Sequence, residues 1–348
     1  MRRYGRVAGG VLAGCLVAGC SGLPGMDPAA WQGAETPSAT PSSTTSGTQK
    51  TPEPSASASA LTAEAVIKEY IDRNNKANTA LDDDLLARNE AGSSLAIDKA
   101  AYLSQRKLGK KREGYTPFEY VKPTFVAPAS KRWFLATTYW KNKKKSAKTP
   151  TFLLFAHDQG AWKQVYSPDV FDTIDADELP KIQTDASGAA TEVDSADGDG
   201  LLMSPADFAK NYAAHMTGKG SNAAKSRFAS DQFTTGAAKN RIKMRQFAKL
   251  TEHAAPAKEY PSYALRTADG GALVFTTFAR TKVYDVIQSP KRYYVFQENN
   301  GLLPDKYYKF LKVGDLVQVA AHIPPKTASP AQVQVLGTYS GIVAGRGA

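Results

Sequence analysis

The sequence predicts an α+β fold built from two tandem halves. Within residues 61–183 the apolar pattern changes from helical to strand-like, and residues 201–348 repeat that order. Helices followed by consecutive strands are typical of α+β proteins with antiparallel sheets, not of doubly wound sheets. Short Asp/Gly turns at 158–160 and 269–271 also favour antiparallel hairpins.

In the first half, Thr62 is an N-cap candidate and Glu64 lies in the first turn of the helix that follows. Apolar residues then recur at helical spacing, which predicts helices over 62–79 and about 95–108. Alternating or continuous apolar runs predict four strands, at 120–127, 133–140, 151–157 and 161–166.

The second half begins in the same way as the first. Residues 203–212 match residues 61–70 in a Ser/Thr cap candidate, an early acid and apolar positions that end in tyrosine. We interpret this as an internal duplication. Helices are predicted near 204–217 and 237–250, with a shorter one at 221–229. The predicted strands are 262–267, 272–280, 292–298, 307–311, 315–323 and 332–338.

The N-terminus has the layout of a secretory signal peptide. Arg2, Arg3 and Arg6 precede an apolar run of 12 residues, 7–18. A membrane-spanning helix needs about 20 apolar residues. We therefore expect residues 1–19 to be removed on export and not to remain as a transmembrane helix.

The end of this segment resembles the lipobox of bacterial lipoproteins, in the residues Val17-Ala18-Gly19-Cys20. The resemblance implies a diacylglyceryl group on Cys20 and cleavage before it, so that the protein is held at the extracytoplasmic face of the cell membrane. Cys15 ends a similar motif, but stopping there leaves only eight residues after Arg6. A plain secretory signal with two incidental cysteines is the alternative.

Two segments are expected to be linkers. Residues 20–60 carry the lipidated cysteine and a Pro/Ser/Thr-rich tether, which cannot bury enough apolar surface to fold and would suit O-glycosylation. Residues 184–200 contain five acids and no base. The expected domains are therefore 61–183 and 201–348.

The order of elements resembles the NTF2-like (cystatin-like) fold, in which N-terminal helices pack on a curved antiparallel sheet. The resemblance is carried by the strand Ala272–Arg280, the aromatic run 307–311 and the ending 335–340. The tandem form on a Ser/Thr-rich tether resembles uncharacterised lipoproteins of actinobacteria. This resemblance implies a fold and a location, and it carries over no activity.

No motif in the sequence points to catalysis or to a cofactor. The four histidines are far apart and lack zinc-binding spacing. Residues 218–221 lack the leading glycine of a phosphate-binding loop, and no serine lies in a Gly-x-Ser-x-Gly elbow. Lipidation of Cys20 leaves no free thiol after cleavage, which excludes thiol catalysis. Asp82–Asp84 would bind a cation or cap a helix, and capping is the simpler interpretation.

Some enzymes with the NTF2-like fold place polar residues inside a cone-shaped cavity. Residues of this chain that the resemblance would place there are Tyr70, Asp98, Tyr102, Tyr212 and His215. Aromatic residues at helical spacing more often form core.

Positive charge is concentrated in the second half, which has a net charge of +11 against +4 for residues 61–183. Outside the membrane, the available polyanions are lipid head groups and wall polymers, whereas nucleic acid belongs to another compartment. The basic residues form one helical segment and one loop: Lys239, Arg241, Lys243, Arg245 and Lys249; and Lys143, Lys144 and Lys145.

These observations predict a lipid-anchored, non-catalytic protein of the cell envelope. We expect it to contact an anionic membrane, a wall polymer or a protein partner through its basic second half. The alternative is a small-ligand carrier or enzyme that uses the cavity of one domain. A basic surface that only keeps the exported protein soluble is the simplest interpretation of the charge.

Overall fold

A computed structural model describes residues 62–109, 115–288 and 294–348. The fold combines helices with an open antiparallel sheet, as the sequence predicts. The helices of the first half are α1 (Ala63–Ala80), α2 (Asp83–Ala87) and α3 (Gly92–Lys107). Its strands are β1 (Phe118–Val126), β2 (Trp133–Asn142), β3 (Thr151–Asp158), β4 (Ala161–Tyr166) and β5 (Asp169–Val170).

The second half again places three helices before its strands. The helices are α4 (Pro205–Met216), α5 (Asn222–Lys225) and α6 (Gln232–Met244). The strands are β6 (Ala248–Pro256), β7 (Tyr263–Arg266), β8 (Ala272–Val286), β9 (Phe296–Gln297), β10 (Lys306–Tyr307), β11 (Phe310–Ile323) and β12 (Gln334–Gly347).

The first helix of each half begins at a hydroxyl cap and buries one face. The Thr62 hydroxyl accepts the Ala65 N–H at 3.3 Å, and the Ser204 hydroxyl accepts the Asp207 N–H at 3.1 Å. Such caps satisfy backbone donors that have no partner within the helix. The buried residues recur every three or four positions: Val66, Ile67, Tyr70, Asn74 and Ala77 in α1, and Phe208, Ala209, Tyr212, Ala213 and Met216 in α4.

The two halves share one ten-stranded sheet. Its order is β1-β2-β3-β5-β12-β11-β8-β6, with β4 added on β3 and β7 on β8. The halves meet where β5 pairs with β12, with Val170 opposite Gly337. A Cβ atom at Gly337 would overlap the Asp169 carbonyl oxygen, so this approach requires glycine. β9 and β10 form a separate two-stranded sheet.

The sheet curves back on itself around a shared apolar core. Phe152 on β3 and Phe275 on β8 have three strands between them in the sheet order, yet their ring centroids are 5.6 Å apart. Trp133 and Tyr263 pack edge to face at 5.1 Å across the same core. Residues of both halves therefore pack into one apolar cluster.

Helix α3 joins the halves, although it belongs to the first. Ile97 packs against Ala279 and Leu316 of the second half. The segment 184–200 also packs on folded structure, because Ala190 and Val193 are buried and the Val193 N–H donates to the Ala264 carbonyl at 3.0 Å. The division into separate domains at 183 and 201 stays a prediction.

Several predicted elements differ from those observed. The helix predicted over 237–250 begins earlier, at Gln232, and ends at Met244, and strand β6 begins at Ala248. The separate strands predicted at 307–311 and 315–323 are mainly one continuous strand, β11. The short helix predicted at 221–229 is reduced to α5.

Candidate functional site

The basic helical segment divides between two faces of α6. Lys239, Ile242 and Lys243 lie three and four residues apart, which places them on one side of the helix, and all three are exposed. Arg241 points elsewhere, because its Nε donates to a Glu252 carboxylate oxygen and its Nη2 to the Met216 carbonyl oxygen. Arg241 is thus held by an internal ion pair.

The remaining two predicted basic residues continue the exposed surface. Arg245 follows the last turn of α6, and Lys249 lies on β6 opposite Asp285 of β8. Both side chains are exposed. Among the residues that the structure describes, Lys239, Lys243, Arg245 and Lys249 form no ion pair.

Large apolar side chains are exposed on α6, just after β8 and just before β11. Ile242 is 66% exposed, and Ile287 and Tyr308 are also exposed. Ile287 follows β8, and its N–H donates to the Phe247 carbonyl at 2.8 Å in the turn between α6 and β6. We call the following set of exposed residues the basic tip: Lys239, Ile242, Lys243, Arg245, Lys249, Ile287 and Tyr308.

A buried cluster beneath the basic tip fixes its position. Met244, Tyr284, Phe296 and Leu311 belong to one core cluster that joins α6, β8, β9 and β11. Met244 is buried in this cluster, whereas Ile242, two residues earlier on α6, is exposed beside Lys239 and Lys243.

The second predicted basic segment lies elsewhere. Lys143, Lys144 and Lys145 are exposed in the loop after β2. The Asn142 side chain shapes this loop by accepting the Lys144 and Lys145 N–H groups, both at 2.8 Å. Strands β2 and β6 are six positions apart in the sheet order, so the two basic segments lie on different parts of the sheet.

A polar cluster lies beneath the first half of the sheet. Tyr70 donates to a Glu90 carboxylate oxygen at 3.2 Å, and the Asn74 side-chain amide donates to the same oxygen at 2.7 Å. The Tyr339 hydroxyl donates to Asp98. Burial, and then repulsion from Asp98, raise the pKa of Glu90 well above its usual range. Burial likewise raises the pKa of Asp98 to about 6.

An equivalent tyrosine–acid pair occurs in the second half. Tyr212 donates to an Asp231 carboxylate oxygen at 3.3 Å. Tyr70 precedes Glu90 by 20 residues and Tyr212 precedes Asp231 by 19. Glu90 lies two residues before α3, the third helix of the first half. Asp231 immediately precedes α6, the third helix of the second half. The match between residues 61–70 and 203–212 pairs the two tyrosines but does not include Glu90 or Asp231. The similar spacing from tyrosine to acid in the two halves is the signal in the sequence that points to these acids.

The five residues that the resemblance suggested for a cavity fall into three places. Tyr70 and Asp98 belong to the polar cluster of the first half. Tyr102 packs separately, in a cluster that includes Ala77 and Leu86. Tyr212 and His215 lie beneath the second half, where the His215 ring stacks on Phe228 at 4.8 Å. Burial lowers the pKa of His215, which favours its neutral form.

Other candidates have structural roles. Asp82 caps α2, because one of its carboxylate oxygens accepts the Asp84 and Leu85 N–H groups, both at 2.9 Å.

Within residues 62–109, 115–288 and 294–348, no three His, Asp or Glu side chains group closely enough to hold a metal ion. None of the helices in this part of the chain has the length and apolarity that spanning a membrane requires. Cys15 and Cys20 lie outside the described residues.

The raised pKa of Asp98 predicts a pH dependence of stability. The folded state keeps a proton up to about pH 6 that the unfolded chain releases near its ordinary pKa of 3.8. The free energy of unfolding should therefore fall as pH rises through this window. Asp98→Asn should weaken that dependence, as measured by urea unfolding at about pH 4.5 and about pH 6.5.

The control for this prediction is Asp72→Asn, which changes an exposed aspartate on α1. It should keep the pH dependence of the native chain. An Asp98→Asn protein with the same pH dependence as the native chain would contradict the assignment.

Comparison with known proteins identifies the family. An uncharacterized lipoprotein of Streptomyces coelicolor is 27% identical over 330 residues, covering 90% of this chain and 88% of the relative. A second one from that organism is 25% identical over 307 residues, covering 84% and 86%. An uncharacterized lipoprotein of Streptomyces avermitilis is 28% identical over 205 residues, covering 58% and 59%.

No solved structure matches the chain. The relatives confirm the resemblance to actinobacterial lipoproteins that the sequence predicts. The family model described as "Domain of unknown function (DUF8094)" matches residues 56–347. Because this match covers most of the chain, the protein belongs to the DUF8094 family.

Proposed function

We propose that this protein is a lipid-anchored extracytoplasmic binding protein, without catalytic activity, whose basic tip rests on the anionic membrane surface. The anchor is supported by the lipobox that ends at Cys20 and by the lipoprotein names of the relatives. Residues 21–60, which the sequence predicts to be a tether, separate Cys20 from the described part of the chain.

The observation that carries the membrane contact is the exposed Ile242 between Lys239 and Lys243. A lysine close to an anionic bilayer contributes about 1 kcal/mol to binding. Fully burying an isoleucine contributes about 1.5–3 kcal/mol. A rigid polymer of the wall would attract the lysines but would offer the apolar side chain no comparable environment, so the combination favours a lipid surface.

We also propose that each half has the NTF2-like fold. Three helices precede a four-stranded antiparallel meander in both halves, formed by β1, β2, β3 and β4 in the first and by β6, β8, β11 and β12 in the second. The repeated tyrosine–acid pair supports a common origin of the two units. In this interpretation, the ten-stranded sheet consists mainly of two meanders that are joined where β5 pairs with β12.

A small-ligand carrier is the second candidate function. Ionisable side chains are buried beneath both halves of the sheet, including Glu90 in the first and Arg280 in the second. Such groups are costly in a core unless they are paired or have a role. They favour a ligand site inside the fold, separate from the membrane contact at the tip.

The anchor is tested by detergent partitioning together with the intact mass of the mature protein. The native chain should enter the detergent phase with the added mass of a lipid. Cys20→Ala should lose both properties, because the acceptor thiol is missing, whereas Cys15→Ala should keep them. A native chain that stays in the aqueous phase without the added mass of a lipid would show that the protein is freely secreted.

The membrane contact is tested with the mature chain carrying Cys20→Ser, so that the lipid cannot contribute. Binding to phosphatidylglycerol vesicles, measured by co-sedimentation, should weaken about tenfold or more for Lys239→Gln/Lys243→Gln, since each lysine contributes about 1 kcal/mol. Ile242→Ser should also weaken binding. Binding of the unaltered tip should fall as salt rises.

Matched controls lie on the first half of the chain. Lys143→Gln/Lys144→Gln removes the same charge from the other basic segment, and Leu103→Ser changes an exposed apolar side chain on α3. Both should bind vesicles as the unaltered chain does. Equal losses in the control and tip variants would refute the assignment to the tip. Binding to wall fragments but not to vesicles would identify the wall as the partner.

A further inference from the structure

Arg280 lies in the interior of the second half, on the long strand β8. Its side chain is only 1% exposed, and it belongs to the same face of the sheet as Phe278. Asp315 of β11 is its cross-strand neighbour and is fully buried as well. A buried arginine is rare in a protein core unless its charge and its hydrogen-bond donors are satisfied.

The donors of Arg280 are not all satisfied. Its Nε and Nη1 atoms are buried and have no hydrogen-bond partner among the residues that the structure describes. An unpaired buried donor costs about 1–3 kcal/mol, and more when the group is charged. Native proteins rarely keep such groups without an ion, a water molecule or a ligand to accept from them.

The charges near Arg280 leave room for an anion. Three cations, Arg241, Arg280 and Lys282, lie near two carboxylates, Glu252 and Asp315. Glu252 is shared, because it accepts from Arg241 and lies 3.8 Å from the Lys282 Nζ. With Lys282 charged, this group has one positive charge in excess. Burial and the nearby Arg280 lower the pKa of Lys282 to about 7, so a bound anion would favour its charged form.

The aromatic ring of Phe233, on α6, packs against the guanidinium of Arg280. The Arg280 Cζ lies 4.9 Å from the ring centroid of Phe233. Phe233 lies in the first turn of α6 and is itself partly exposed. A partly exposed ring therefore lies against the buried guanidinium.

We propose that a small oxyanion, a carboxylate or a phosphate group, binds beneath Phe233 between Arg280 and Lys282. The Nε and Nη1 N–H groups of Arg280 donate to its oxygens, and Lys282 supplies the balancing charge. Arginine suits this task because its planar donors match carboxylate and phosphate geometry. The site is independent of the basic tip, so the second half would hold a ligand inside the fold while its surface contacts lipid.

The experiment uses the full mature chain with Cys20→Ser and two probes, inorganic phosphate and acetate, each against chloride at equal ionic strength. The melting temperature of the native chain should rise by several degrees in the presence of one or both oxyanions, because an ion that binds only the folded state stabilises it. Arg280→Gln should lose this rise, and Lys282→Met should reduce it. Arg227→Gln, which removes an exposed arginine outside the basic tip, should keep it.

A second measurement does not depend on the stability of any variant. In the native chain labelled with ¹⁵N, the Arg280 Nε–H resonance should shift and saturate as phosphate or acetate is added, while those of exposed arginines change little. A rise in melting temperature that is identical in Arg280→Gln and Arg227→Gln would overturn the proposal. So would an Arg280 resonance that responds to neither ion, because the donors would then be occupied by water alone.

Discussion

The amide of Gln318 holds the two halves of the molecule together. It lies on β11, is fully buried and has its Nε2 within 3.0 Å of three acceptors: the hydroxyls of Ser93 and Ser94 and the carbonyl of Val165. Its Oε1 accepts the Ser167 N–H at 2.8 Å. One side chain of the second half thus satisfies polar groups on helix α3 and around strand β4 of the first. Since an unpaired buried amide is costly, these contacts fix how the halves dock.

Much of the fold follows from local pattern, whereas the junction does not. The spacing of buried residues in α1 and α4 and the hydroxyl caps at Thr62 and Ser204 predict those helices closely. The sequence does not predict strand β6, because the helical pattern that ends at Met244 in the structure continues through Lys249 and Leu250 in the predicted helix. The pairing of β5 with β12 joins positions more than 160 residues apart, and no local signal in the sequence specifies it.

The candidate sites were predictable to different degrees. Exposed lysines on α6 follow from composition, but the inward direction of Arg241 depends on Glu252, which lies on the unpredicted strand β6. The sequence pattern identifies Arg280 only as the last residue of a predicted strand, because nothing near it in sequence indicates that its side chain is buried. The described parts of the two halves bury different charges: Glu90 is buried in the first, whereas Arg280 and Lys282 are buried with carboxylates in the second. Both halves contain a tyrosine–acid pair.

The most direct test of this account is calorimetric unfolding of the mature chain. If the junction at Gln318 makes the halves one unit, the native protein should melt in a single transition whose calorimetric and van't Hoff enthalpies agree. Gln318→Leu should lower the melting temperature by several degrees, because it leaves buried partners unpaired. Gln297→Ala, at an exposed position, should change it little. Two separate transitions in the native chain, or an unchanged melting temperature in Gln318→Leu, would contradict the account.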